Sequence, residues 1–288
     1  IVLIENEFGE IGIDGTFLQD SGVTINEMNS GCICCSLVGD FETSLKEVLE
    51  TYHPDRIIIE PSGVGKLSDV IKAVQDVHSH DIELDHFITV VDAKKCRMYI
   101  KNFGEFYNNQ VEYASLIVLS RSQDLTEFQL NECLELLKNI NNQTPIITTP
   151  WDKLDGQDIL NAGLVDLQHE ILEDEHDHEC CGHHEHDHDH ECCGGHHHHH
   201  ADEVFQSIGF DTAKKYSKEE LSDILNKLSN ENVLRAKGFV DSGDTDWWYF
   251  DLVPEEFEIR LGKPMYTGKI CVIGKDIDEN KMKELFLG

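Results

Sequence analysis

Positive charge is what this chain has least of. Its 288 residues hold 23 Lys and Arg against 56 Asp and Glu, for a formal net charge of −33. A surface of that sign repels phosphate backbones, which argues against nucleic acid and favours cations as partners. Long apolar runs are missing as well. No stretch approaches the roughly 18–20 residues that a membrane-spanning helix requires, so no membrane partner is expected. A secretory leader is not visible either, and the first residue is Ile1 in what reads as the body of a strand rather than Met. The expectation is that a segment has been cut away before it. Without a leader, the ten cysteines are expected to be reduced thiols in the cytoplasm, where metal ligation is a better expectation than disulfides.

What is present has a clear order. Hydrophobic residues make up 40% of the chain, enough for one large or two ordinary domains with a real core. Apolar, β-rich runs occur at Ile1–Ile4, Val23–Ile25, Arg56–Ile59, Phe87–Val91, Leu116–Leu119 and Pro145–Thr148. Between them lie helical stripes, Phe41, Leu45, Val48 and Leu49, then Leu130, Leu134 and Leu137. The second stripe follows Thr126-Glu127-Phe128-Gln129, a capping-box pattern. Continuous apolar strands separated by helices predict an α/β domain, a mainly parallel sheet with helices on both faces, over residues 1–172. Residues 173–202 form a His/Cys/acid-rich linker; from Asp174 to His200 no apolar residue except cysteine occurs, so no core can form and disorder is expected. From 203 to 288 a second capping-box pattern at Ser217–Glu220, a Leu221, Ile224, Leu228 stripe and β-like runs at Val233–Val240, Trp247–Leu252 and Lys269–Ile273 predict a small α+β domain.

Three segments carry chemistry. Gly31-Cys32-Ile33-Cys34-Cys35 places three thiols within four positions, the density that a soft metal ion asks for. Zinc wants four ligands, so one more must come from Glu7, Glu10, a histidine, a partner or water. A site left incompletely closed suits metal handover. Ile57-Ile58-Ile59-Glu60-Pro61-Ser62-Gly63 ends an apolar strand in Glu-x-x-Gly. An acid there can position a water or a magnesium ion, and the glycine can offer its amide to a terminal phosphate. Ser120-Arg121-Ser122-Gln123 follows another apolar strand, where a guanine-reading loop would fall. Gln123 stands where such a loop usually has an aspartate, so its neutral carbonyl is the weaker acceptor for a base. Arg121 can stack on the base through its stem and planar head.

The order ENEFGEIGID, GCICC, IIIEPSG and a strand-borne base loop resembles the CobW family of P-loop GTPases and metal chaperones. VLRAKGF at 233–239 and WWYF at 247–250 are similar to that family's small C-terminal domain. The resemblance implies a GTP-dependent metallochaperone that delivers zinc, or cobalt or nickel, to a client metalloprotein. It implies guanine nucleotide and Mg2+ as cofactors beside Zn2+. Cys32, Cys34 and Cys35, with Glu7 or Glu10, would be the internal metal site. Glu60 and Gly63 would be the hydrolysis switch, and Ser120, Arg121 and Gln123 the base loop. One departure matters: the G-x-x-x-x-G-K-[ST] phosphate loop does not occur in these residues. The chain as written is therefore expected not to hydrolyse GTP.

Residues 174–200 concentrate 12 of the 17 histidines. His176, His178, Cys180, Cys181, His183, His184, His186, His188, His190, Cys192 and Cys193 alternate there with acids, offering many exchangeable sites rather than one closed one. This leaves an alternative, a non-enzymatic metal store built on the tract. Another is a maturation factor dedicated to one metalloenzyme or to cobalamin synthesis. The isolated His53, His78, His80 and His86 are expected in surface roles at helix or loop edges rather than as ligands, and the Trp247-Trp248 pair is expected to pack one face of the small domain.

Overall fold

The computed structural model describes residues 1–6, 24–28, 38–61, 63–77, 82–162 and 204–288, the side chains of 6, 24–28 and 38–42 excepted. It divides into two compact units. One comprises residues 1–79, 97–110 and 200–288, the other residues 80–96 and 111–199.

The first unit begins with strand β1 (Val2–Asn6), strand β2 (Thr24–Met28), helix α1 (Val38–Tyr52), strand β3 (Ile57–Glu60) and helix α2 (Leu67–Gln75). The strands pair in parallel in the order β2-β1-β3. Leu45 and Val48 of the predicted α1 stripe are buried, and α2 buries Val70, Ile71, Ala73 and Val74 at helical spacing. The register sets Glu5, one residue before the end of β1, directly beside Glu60, the last residue of β3, so two carboxylates neighbour one another at the sheet's C-terminal edge. That edge is where open α/β sheets bind ligands.

The second unit contains strand β4 (Ile88–Asp92). Helices α3 (Cys96–Phe103) and α4 (Glu105–Glu112) then run back into the first unit's residues 97–110. Strand β5 (Leu116–Ser120), helix α5 (Glu127–Ile140), strand β6 (Ile146–Ile147) and helix α6 (Gly156–Ala162) complete it. The order is β4-β5-β6, again parallel. Central β5 buries Leu116, Ile117, Val118 and Leu119 almost completely, as its unbroken apolar run requires of a strand covered on both faces. The predicted α5 capping box forms in full: Gln129 N donates to Thr126 Oγ1 at 3.3 Å, and Thr126 N donates to Gln129 Oε1 at 3.0 Å.

The remainder of the first unit is a five-stranded antiparallel sheet whose strands run, edge to edge, Glu256–Gly262, Trp247–Val253, Val233–Asp241, Gly268–Gly274 and Gln206–Thr212. It is built from β7 (Gln206–Thr212), helix α7 (Lys218–Leu228), β8 (Val233–Asp241), β9 (Trp247–Val253), β10 (Glu256–Gly262), β11 (Gly268–Gly274) and helix α8 (Glu279–Leu287). One face packs on α7 and α8 through Leu221, Ile224, Leu225, Phe250, Val272 and Phe286. The other face carries Phe239, Trp247, Tyr249, Cys271 and Ile273, packed with Phe205, Phe106 and Val64.

Two sequence expectations are corrected here. Trp247 and Trp248 serve opposite faces, Trp247 with Val64 and Phe106, Trp248 against the α7–α8 side. Neighbouring residues of a strand point to opposite sides, so they cannot pack one face together. The second capping box is only half made. Ser217 Oγ accepts from Glu220 N at 3.1 Å, while the Glu220 carboxylate pairs with Lys214 Nζ at 3.0 Å, a stronger attraction than a neutral amide offers.

Candidate functional site

Glu60 and Gly63 lie in the first unit. Glu60 is exposed at the end of β3, beside the buried Glu5. Gly63 lies in the turn that leads into α2. Among the described residues nothing crowds this position: a Cβ built there meets no described atom within 4 Å. The segment is held from α4 instead. Gln110 Nε2 donates to Gly63 O at 3.0 Å and to Gly65 O at 2.7 Å. Asn109 Oδ1 accepts from Ser68 N at 3.2 Å, and its amide donates to Ser68 Oγ at 3.0 Å.

The base-loop residues lie in the second unit. Ser120 ends β5 in register with Asp92, which ends β4. Arg121 adopts a left-handed conformation, φ 57°, which turns the chain sharply out of the strand into a short 3-10 turn over Ser122–Asp124. The Asp92 carboxylate organises this corner. Its Oδ1 accepts from Lys94 N and Lys95 N at 3.0 and 3.2 Å, and its Oδ2 lies 3.5 Å from Arg121 Nη1. Gln123 and Asp124 are exposed, whereas Ser122 is buried with no hydrogen bond to its hydroxyl among the described residues. Asp92 was missed in the sequence, although it ends an apolar strand in an acid as Glu60 does. Gln110 and Asn109 gave no signal, because a helix residue that clamps a distant loop looks like any exposed amide.

Glu7, Glu10, Cys32, Cys34 and Cys35 fall outside the described residues, as does the tract from His176 to Cys193. Among the described residues no group of three or more His, Cys, Asp and Glu is disposed to hold a metal ion. The described cysteines, Cys96, Cys133 and Cys271, are all buried. A hydrogen bond with Cys96, and then burial, push the Cys133 thiol far above its ordinary range.

The family model for the CobW/HypB/UreG nucleotide-binding domain matches residues 1–148, and that for the cobalamin synthesis protein cobW C-terminal domain matches residues 205–288. The chain belongs to the CobW family. Its relatives include the zinc chaperone YjiA of Escherichia coli, 30% identical over 182 residues that cover 60% of this chain and 55% of YjiA. The zinc-regulated GTPase metalloprotein activator 1 of Schizosaccharomyces pombe is 22% identical over 317 residues, covering 96% of this chain and 73% of that protein. The solved Zn(II)-bound YjiA GTPase of E. coli superposes with a TM-score of 0.40 at 19% identity, covering 100% of this chain and 98% of that one. This CobW-family chain spans about half the length of the first bacterial relatives it matches. Its two sheet types, parallel in residues 1–148 and antiparallel in residues 205–288, follow the two family domains.

Proposed function

We propose that the chain is the working part of a GTP-dependent zinc metallochaperone. It would bind Zn2+ at Cys32, Cys34 and Cys35 and pass it to a client metalloprotein. The observation that carries this is Gly31-Cys32-Ile33-Cys34-Cys35 inside a chain matched by both CobW domain models. The organisation supporting it is the nucleotide-binding domain over 1–172, the His/Cys/acid linker over 173–202 and the C-terminal domain over 203–288. Zinc is the cargo, with Glu7 or Glu10 completing its ligand set and the tract from His176 to Cys193 gathering metal. Cobalt or nickel would suit the same mixed donors.

The nucleotide roles follow from the strand ends. Glu60, with Glu5 beside it, offers the oxygen-only donors that Mg2+ prefers; bound there, the ion would offset the charge of the phosphates. Gly63 would present its amide to the terminal phosphate, and the freedom around it suits a residue that must accept a ligand or a second backbone conformation. Exposed Gln123 and the Asp92-tethered Arg121 would read and stack the guanine. Hydrolysis of GTP would change the grip on this segment and, reciprocally, zinc would change nucleotide affinity.

The test is zinc titration of the Cys34→Ser, Cys35→Ser double variant beside the parent chain. Loss of the tight zinc site with guanine-nucleotide affinity retained is the expected result. Equal zinc affinity would sink the proposal and leave the metal-store reading, which the concentration of 12 histidines in residues 174–200 favours.

A further inference from the structure

The segment that follows β3 is held from two sides, and both holds lead to the C-terminal sheet. Gln110 bridges the carbonyls of Gly63 and Gly65, two groups that point the same way only while the segment keeps its present turn. Between these glycines Val64 is buried, and it lies in one cluster with Phe106, Phe205, Phe239, Trp247 and Tyr249. Lys66 closes the segment: its Nζ sits 5.4 Å above the Phe106 ring and 3.8 Å from Glu105 Oε1. The bonds of Asn109 to Ser68 fasten the start of α2 to the same helix.

Helix α4 is thus the shared element. Its polar side clamps residues 63–68, and its apolar side inserts Phe106 against Phe205, centroids 5.1 Å apart in an edge-to-face arrangement. Phe205 also meets Phe103 at 5.8 Å, and Phe239 of β8 stacks obliquely on Tyr249 of β9 at 5.4 Å. Cores of this density move between discrete arrangements rather than deforming gradually. A change of backbone at Gly63 must withdraw Val64 from the cluster or carry the cluster with it.

We propose that Gln110 is a positioning residue for Gly63, and that α4 couples the Gly63–Lys66 segment to the second face of the C-terminal sheet. The consequence rests on the nucleotide role given to Gly63 above: the state of the terminal phosphate is passed through Val64 and Phe106 to β8 and β9. The C-terminal domain is then the part of the molecule that changes when nucleotide turns over.

Amide hydrogen exchange on the full chain tests the latch without nucleotide. Three variants serve: Gln110→Leu, which keeps volume but removes the donor; Gln110→Lys, whose ammonium can donate to both carbonyls; and Phe205→Leu, which trims the cluster around Val64 and leaves the segment's hydrogen bonds untouched. Exchange at residues 63–68 is expected to rise roughly three- to thirtyfold in Gln110→Leu and Phe205→Leu, and to return toward the parent in Gln110→Lys. The ratio of GTP to GDP affinity, measured on the whole protein, is expected to fall in the first two variants with GDP affinity unchanged. Unaltered exchange at 63–68 in Phe205→Leu overturns the coupling. Faster exchange spread evenly over the sheet, with the affinity ratio unmoved, shows a merely structural role and overturns it too. If the parent protein binds no guanine nucleotide, the function proposed for Gly63 fails by itself, and the exchange arm alone decides the latch.

Discussion

Gly63 and Tyr216 show how single residues divide between function and stability. No described atom approaches a Cβ at Gly63, so a methyl there clashes with nothing among the described residues and trims the freedom of the unfolded chain. Gly63→Ala is therefore expected to unfold at equal or higher urea concentration, by about 0.5 kcal/mol, while lowering GTP turnover of the whole protein. A variant that unfolds earlier would show that the glycine is structural. Tyr216 is the opposite case. Its hydroxyl donates to Phe286 O at 2.9 Å from a buried position, and burial raises its pKa above the ordinary phenol value of 10.0. Because the folded value is the higher one, the stabilisation is complete below that ordinary value and is lost as pH rises through the raised one. Tyr216→Phe should flatten the alkaline fall in stability, measured as urea midpoints near about pH 8 and about pH 11. At neutral pH it should cost about 1 kcal/mol, since Lys214 Nζ still donates to the same carbonyl at 3.0 Å.

At the scale of the element, helix α7 separates two contributions that its sequence pattern presents as one. Ser217 Oγ satisfies a free amide of the first turn, so Ser217→Ala is expected to cost about 1 kcal/mol. Glu220 spends its carboxylate on Lys214 at the surface, so Glu220→Ala is expected to cost well under about 1 kcal/mol. Comparing the two urea midpoints checks this, and equal losses would mean that a reciprocal box forms in solution. Helix α4 is the more consequential element. It is only eight residues long, yet one side holds the glycine segment and the other fills the C-terminal sheet.

For the whole molecule, charge and metal chemistry are linked. A net charge of −33 draws cations to every surface, and residues 174–200 add imidazoles and thiols to that field. Deleting 174–200 is expected to reduce the number of zinc ions bound per chain to about one, leaving the tight site at Cys32, Cys34 and Cys35 intact. Zinc titration followed by metal analysis reads both quantities. Loss of the tight site on deletion would place it in the tract and favour the store.

The sequence by itself determined the strands of the parallel sheets, since unbroken apolar runs such as Leu116–Leu119 admit no other placement once helices separate them. It also determined the α5 capping box, because side-chain type and spacing within one turn are local properties. Strands β7 and β10 were missed although both alternate: Ile208, Phe210 and Thr212 are buried between Ser207, Gly209 and Asp211, and Phe257, Ile259 and Leu261 alternate with Glu256, Glu258 and Arg260, a half-polar pattern that carries no continuous apolar run. The division of Trp247 and Trp248 between two faces, the tie between Arg121 and Asp92, and the grip of Gln110 on Gly63 were decided by tertiary structure. Each joins residues far apart in the chain or depends on which face a neighbour covers. Local pattern records a residue's periodicity, but only packing determines what that residue touches.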